Sequence, residues 1–230
     1  MTTVDRPLGL GELLAETIRL YGERFWAALA LGVVYTAAIA GAAIVHAALY
    51  YLVAAFMVAA AYAGAARLAA GDSFGEAWAQ VALRLPVVLV LALVVGLPFV
   101  LATSYLLLLL IAAAWIGLTG FAIPVAMLER EHEATSLAAR IAYALERTIA
   151  LARAEIVHAA GVAAALVLVY LLLTPILAGA LTGYGENSRT VAGLLAQLVL
   201  TPFFFFGLSI LYFDQKARAV SSRPNPPRRS

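Results

Sequence analysis

Residues 25–66 read FWAALALGVVYTAAIAGAAIVHAALYYLVAAFMVAAAYAGAA, 42 positions without one formal charge. As a single helix the run would be about 63 Å long, about twice the hydrocarbon thickness of a bilayer. It must fold back on itself, and the turn is placed near His46 to Tyr51, where an imidazole and two tyrosines interrupt the aliphatic run. A strand reading fails because membrane strands alternate apolar and polar residues, whereas runs such as Leu106 to Ala114 do not. Helices satisfy their own backbone hydrogen bonds, which lipid makes compulsory.

The same logic extends along the chain. Leu85 to Leu128 is also uncharged and also too long for one crossing, with a turn expected near Ala102 to Tyr105. Ile156 to Gly185 holds one span and a turn over 182–188, and Thr190 to Phe213 holds the last. The composition agrees: 64% hydrophobic and 12% charged, with mean hydropathy +0.97. Soluble domains carry about 25% charged residues. The fold class expected is therefore all-α, a polytopic bundle of six transmembrane helices plus three interfacial amphipathic helices.

The expected segments are an interfacial helix over 9–24 with spans 25–46 and 50–68, a second helix over 73–84 with spans 86–103 and 105–128, and a third over 136–153 with spans 156–181 and 190–213. Residues 1–218 form one membrane domain, and 219–230 a disordered basic tail, proline-rich and polar. The first apolar run follows the charged segment Glu12 to Arg24, so the first span is read as retained rather than cleaved.

Basic residues set the orientation. Of the 15, only Arg189 falls on the side opposite to the rest. The positive-inside rule then puts both termini in the cytoplasm; the membrane expected is a cell's inner (plasma) membrane. Aromatic residues are expected at both boundaries, with Phe25, Trp26, Tyr212 and Phe213 inside and Tyr50, Tyr51, Tyr105 and Tyr184 outside. Trp115 is read as a packed bundle residue, and Ala37, Gly41 and Gly64 as points of close helix approach.

Each pair of spans follows a segment of helical periodicity. Aligning Gly11, Gly75 and Ala138 gives intervals of 64 and 63 residues, and an arginine follows each time: Arg19, Arg84 and Arg147. Ser73 with Glu76 reads as a capping box, Gly9 with Glu12 as a weaker one, and Ser136 as a cap lacking the glutamate. In the first copy Leu10, Leu13, Leu14, Ile18 and Tyr21 share a face. In the third, Leu137, Ile141 and Leu145 can face the bilayer. A unit of one interfacial helix and one hairpin, used three times in parallel, competes with the plainer reading that hairpin proteins need such linkers anyway.

Arg6-Pro-Leu-Gly-Leu-Gly-Glu-Leu-Leu14, Arg19-Leu-Tyr-Gly-Glu-Arg-Phe25, Gly71-Asp-Ser-Phe-Gly-Glu76, the helix from Leu137 to Arg153 and Leu211-Tyr-Phe-Asp-Gln-Lys-Ala-Arg218 together resemble a group of bacterial six-span proteins. These are similar to the membrane domain attached to some glycerophosphodiester phosphodiesterases. The resemblance implies the six-span fold; with no appended catalytic domain expected, it lends no phosphodiesterase activity.

Little chemistry is visible otherwise. No acidic or basic residue lies deep in a span, which counts against proton relays and ion-coupled transport. Cysteine is absent. Glu129, Glu131, His132, Glu133, Glu155 and His158 could be grouped as a metal site, but di-metal bundles use two Glu-x-x-His pairs and only Glu155/His158 forms one. We read the group as a solvated loop charge cluster, and expect no metal, cofactor, catalytic constellation or nucleic-acid partner. Pro98, Pro124, Pro175 and Pro202 lie inside spans, and discontinuities are expected at Gly96/Pro98 and at Gly117, Gly120 and Pro124. The functional expectation is a non-enzymatic membrane scaffold or accessory protein whose partners are membrane lipids. Anionic headgroups would meet Arg140, Arg147 and Arg153 at the cytoplasmic face. The alternative is a transporter of an apolar or amphiphilic, lipid-like solute.

Overall fold

The computed structural model describes residues 6–103, 108–129, 136–181 and 188–221. In chain order these form α1 (Leu10–Glu23), α2 (Phe25–Val45), α3 (Ala47–Ala70), α4 (Phe74–Leu83), α5 (Leu85–Leu91), a π-helical turn (Ala92–Gly96), α6 (Leu97–Thr103), α7 (Leu109–Thr119), α8 (Ala122–Leu128), α9 (Leu137–Ala154), α10 (Ile156–Leu181) and α11 (Ser188–Ser221). No strand occurs among the described residues, and six helical segments are long and apolar enough to cross a membrane. The chain is an all-α polytopic membrane bundle. Ser104, Tyr105, Tyr184, His132 and its neighbours 130–135, and the turn at 182–187 lie outside the described residues.

Burial separates the spans into two classes. About a third of the residues are buried in the first span of each hairpin: 33% in Phe25–Ala42, 39% in Leu85–Ala102 and 28% in Ile156–Ala180. In the second spans the shares are 67% in Leu49–Ala70, 67% in Leu110–Leu128 and 61% in Thr190–Ser221. The first spans are therefore peripheral and the second spans central.

Packing partners follow the same order. Each first span lies on the second span of the preceding unit: α5 and the π turn on α3, α10 on α7, and α2 on α11, which closes the ring. The amphipathic helices repeat the step, with α4 on α3, α9 on α7 and α8, and α1 on α11. This cyclic order is that of three parallel units around one axis. We call the face carrying α1, α4 and α9 basal and the other distal.

Local geometry preserves two of the three copies closely. The N-caps Gly9 (φ −76°, ψ 164°) and Ser73 (φ −72°, ψ 163°) nearly coincide, while Ser136 (φ −112°, ψ 150°) departs. Glu12 and Glu76 each accept the cap residue's backbone N–H at 2.9 Å. One residue joins each amphipathic helix to its span. Arg24 (φ −110°, ψ 23°) and Arg84 (φ −104°, ψ 19°) again match, and Glu155 (φ −158°, ψ 80°) does not.

Several expectations need correction. Arg19 is not the counterpart of Arg84, since it is exposed and paired with Glu16 and Glu23; Arg24 holds the equivalent junction. α1 buries Leu13, Thr17 and Leu20 and leaves Leu10 and Ile18 exposed, because α11 supplies a protein partner for a different stripe. Ala37 and Gly41 face outward, and Gly64 alone of that set is packed, with Leu31 against it. Trp115 is 36% exposed at the bundle surface, not enclosed. The break between α2 and α3 is His46 alone, so Tyr50 and Tyr51 are helical. α11 runs on to Ser221, so residues 219–221 are helix, not tail; 222–230 lie outside the described residues.

The expected discontinuities do occur. The π turn precedes Pro98, and residues 120–121 interrupt the helix before Pro124. Both prolines thus sit in the first turn of a new segment, where a missing N–H is not needed. Pro175 and Pro202 lie inside α10 and α11. Pro202 has no N–H for the Leu198 carbonyl four residues earlier, and α2 approaches that carbonyl at Gly32, where any Cβ would stand 2.0 Å from it.

Candidate functional site

The charged residues converge on the basal ends of the central helices. The junction residue of each unit reaches the end of that unit's own second span. Arg24 donates to the Gly71 carbonyl at 3.3 Å, and Arg84 donates to the Ala126 carbonyl. In the third unit the polarity is reversed, with Glu155 accepting from Arg218. Arg67 of α3 crosses to the neighbouring unit, pairing with Asp72 at 2.6 Å and donating to the Met127 carbonyl at 3.3 Å.

Two carboxylates, one part-buried and one fully buried, organise the remainder. Glu129 follows α8 directly, and its side chain is only 9% exposed. Its Oε2 accepts the Tyr143 hydroxyl and the Arg147 Nε, both at 3.0 Å. Its Oε1 accepts the Tyr212 hydroxyl at 3.0 Å and lies 3.5 Å from the Lys216 Nζ. Burial pushes this carboxyl upward, but the Arg147 and Lys216 charges and the hydrogen bonds outweigh it and hold it below the usual glutamate range. The Lys216 ammonium also lies 5.8 Å over the Tyr212 ring.

Asp214, fully buried, ties the start of the chain to its last helix. Its Oδ1 accepts the Leu8 backbone N–H at 2.6 Å, and its Oδ2 accepts Arg218 Nε at 2.8 Å. His158 Nε2 stands 3.0 Å from Oδ2 but is not aligned as a hydrogen bond. Arg218 donates to the Leu8 carbonyl as well. The run Leu211 to Arg218 thus supplies Tyr212 and Lys216 to the Glu129 cluster and Asp214 and Arg218 to the second.

This arrangement revises the charge-cluster reading. Glu129 is enclosed by two tyrosines and Arg147 rather than solvated, and Glu155 and His158 turn to α11. Among the described residues no three His, Asp or Glu side chains converge as metal ligands would. Tyr212, expected as an interfacial ring, is fully buried. Sequence reading missed it because its partner lies 83 positions away.

The three lipid candidates diverge. Arg147 points inward to Glu129, Arg153 is exposed, and Arg140 lies beside Arg84 on a groove of about 240 Å³. Leu83, Pro86, Val87 and Leu137 complete the groove between the α4–α5 junction and α9. Leu83 is 74% exposed and Leu137 42%. The groove thus sets two arginine cations, Arg84 already donating to the Ala126 carbonyl, beside an exposed apolar rim.

Comparison with family models, with curated proteins and with solved structures finds no match.

Proposed function

We propose that this integral membrane protein is a non-enzymatic scaffold or accessory protein of a bacterial inner membrane, with its basal face cytoplasmic and bound to anionic lipid. The Arg84–Arg140 groove carries the reading. It joins cationic donors to exposed leucines at the level of the amphipathic helices, where headgroup and chain meet. The motif resemblance to six-span proteins similar to the phosphodiesterase-linked membrane domain fits this reading. Packing in the central basal half also favours a static role over a carrier. Tyr62, Phe206 and Tyr212 are fully buried there, and the Tyr62 hydroxyl binds the Leu208 carbonyl at 3.1 Å.

Native mass spectrometry of the protein purified in mild detergent tests the proposal. Wild type should retain phosphatidylglycerol, and Arg140→Gln should retain less of it. Equal retention by the variant, or solute flux through vesicles containing the purified protein, would refute it.

A further inference from the structure

A second site lies within the membrane-spanning part. A cavity of about 250 Å³ opens between α2, α3, α6, α10 and α11, and every residue lining it belongs to a span. Its polar groups are the phenols of Tyr35, Tyr50 and Tyr170, the Thr201 hydroxyl and the Gln197 amide. None of the lining residues is charged. Phe99 and Phe204 stack in its wall, centroids 6.0 Å apart at 13°, and Tyr170 tilts against Phe204 at 5.5 Å. Tyr170 and Thr201 share a 3.4 Å contact, but the buried Gln197 Oε1 has no protein partner. Tyr50, Leu171 and Gln197 stay partly exposed, so the cavity reaches the bundle surface.

These features select a ligand class. A charged head would enter a low-dielectric site without a counter-charge to offset its desolvation. A purely apolar ligand would leave the Gln197 amide unmatched. A hydroxyl both donates and accepts, so it satisfies that amide in either orientation. The volume falls below the range of about 300–1,000 Å³ for pockets that enclose a whole drug-sized molecule, so it suits a lipid head with its chain running out between helices.

We propose that this cavity binds the head of an uncharged, hydroxyl-bearing lipid. The site is separate from the basal groove and does not depend on the scaffold reading. Diacylglycerols and isoprenoid alcohols share the required chemistry. Native mass spectrometry of the full chain, with dioleoylglycerol, geranylgeraniol and dioleoylphosphatidylglycerol as probes, tests it. One neutral adduct per chain is expected, and the stronger of the two neutral probes identifies the source. Gln197→Leu should reduce that adduct about tenfold, the effect of one lost hydrogen bond to a buried group, and leave phosphatidylglycerol binding unchanged. The variant's unliganded melting temperature should not fall, because the substitution removes a buried amide oxygen that has no protein partner. Neutral binding that survives Gln197→Leu, competition by phosphatidylglycerol for the neutral adduct, or a lowered melting temperature would overturn the proposal. Thr201→Val is the second variant, expected to weaken the same adduct.

Discussion

Glu129 is the residue on which the basal network turns, because two hydroxyls and two cations from α9 and α11 meet its two oxygens. Its lowered pKa means the folded state holds the carboxylate more strongly than the unfolded chain does. That stabilisation is complete above about pH 5 and is lost as pH falls through and below the ordinary glutamate value. Thermal unfolding in detergent should therefore show an acid-side drop that Glu129→Gln reduces, while the variant is less stable at pH 7. Tyr212→Phe should cost about 1–2 kcal/mol by removing one donor from a buried acceptor. Gln215 points the other way: it is fully buried and neither amide atom has a protein partner. Gln215→Met should raise the melting temperature, by about 1–2 kcal/mol of stability. These roles could not be read from the chain alone. Tyr212 and Glu129 both sit beside apolar runs, where a belt tyrosine and a loop glutamate look the same as a buried pair.

At the scale of elements, the features legible in sequence were those whose partners lie within one turn. Ser73 and Glu76 form the expected capping box, with Ser73 N–H on Glu76 Oε2 at 2.9 Å. Ser73→Ala should cost about 1 kcal/mol, read as a small fall in melting temperature. The proline and glycine breaks in spans three and four were legible for the same local reason. The buried stripe of α1 was not, because α11, not periodicity, decides which stripe is covered. Gly32 marks a close approach between units, since its position faces the Leu198 carbonyl and the Pro202 ring. In lipid, helix association depends on such close packing. Gly32→Val should lower stability by more than about 2 kcal/mol, as overpacking does. A Gly41→Val change, at a position with open space around it, should leave the melting temperature nearly unchanged.

The whole molecule is a closed cycle: peripheral spans α2, α5–α6 and α10, central spans α3, α7–α8 and α11, and three amphipathic helices on one face. Near-even spacing of the caps hinted at this, with Gly9, Ser73 and Ser136 separated by 64 and 63 residues. It could not be separated from ordinary loop helices until packing partners were visible, since any hairpin protein can space its linkers evenly. The third unit differs most from the other two, with Glu155 at the junction position and pairing with Arg218 in reversed polarity. Parallel units require all three amphipathic helices to share one side of the membrane. Because the chain has no cysteine, single cysteines can report this without background. Gly11, Gly75 and Ala138 are exposed on α1, α4 and α9, and His46 and Thr190 are exposed near the distal ends. In oriented vesicles, an impermeant maleimide should reach Gly11→Cys, Gly75→Cys and Ala138→Cys from one side only, and His46→Cys and Thr190→Cys only from the other. Labelling of any one of the first three from the side that labels position 46 would contradict the three-unit bundle.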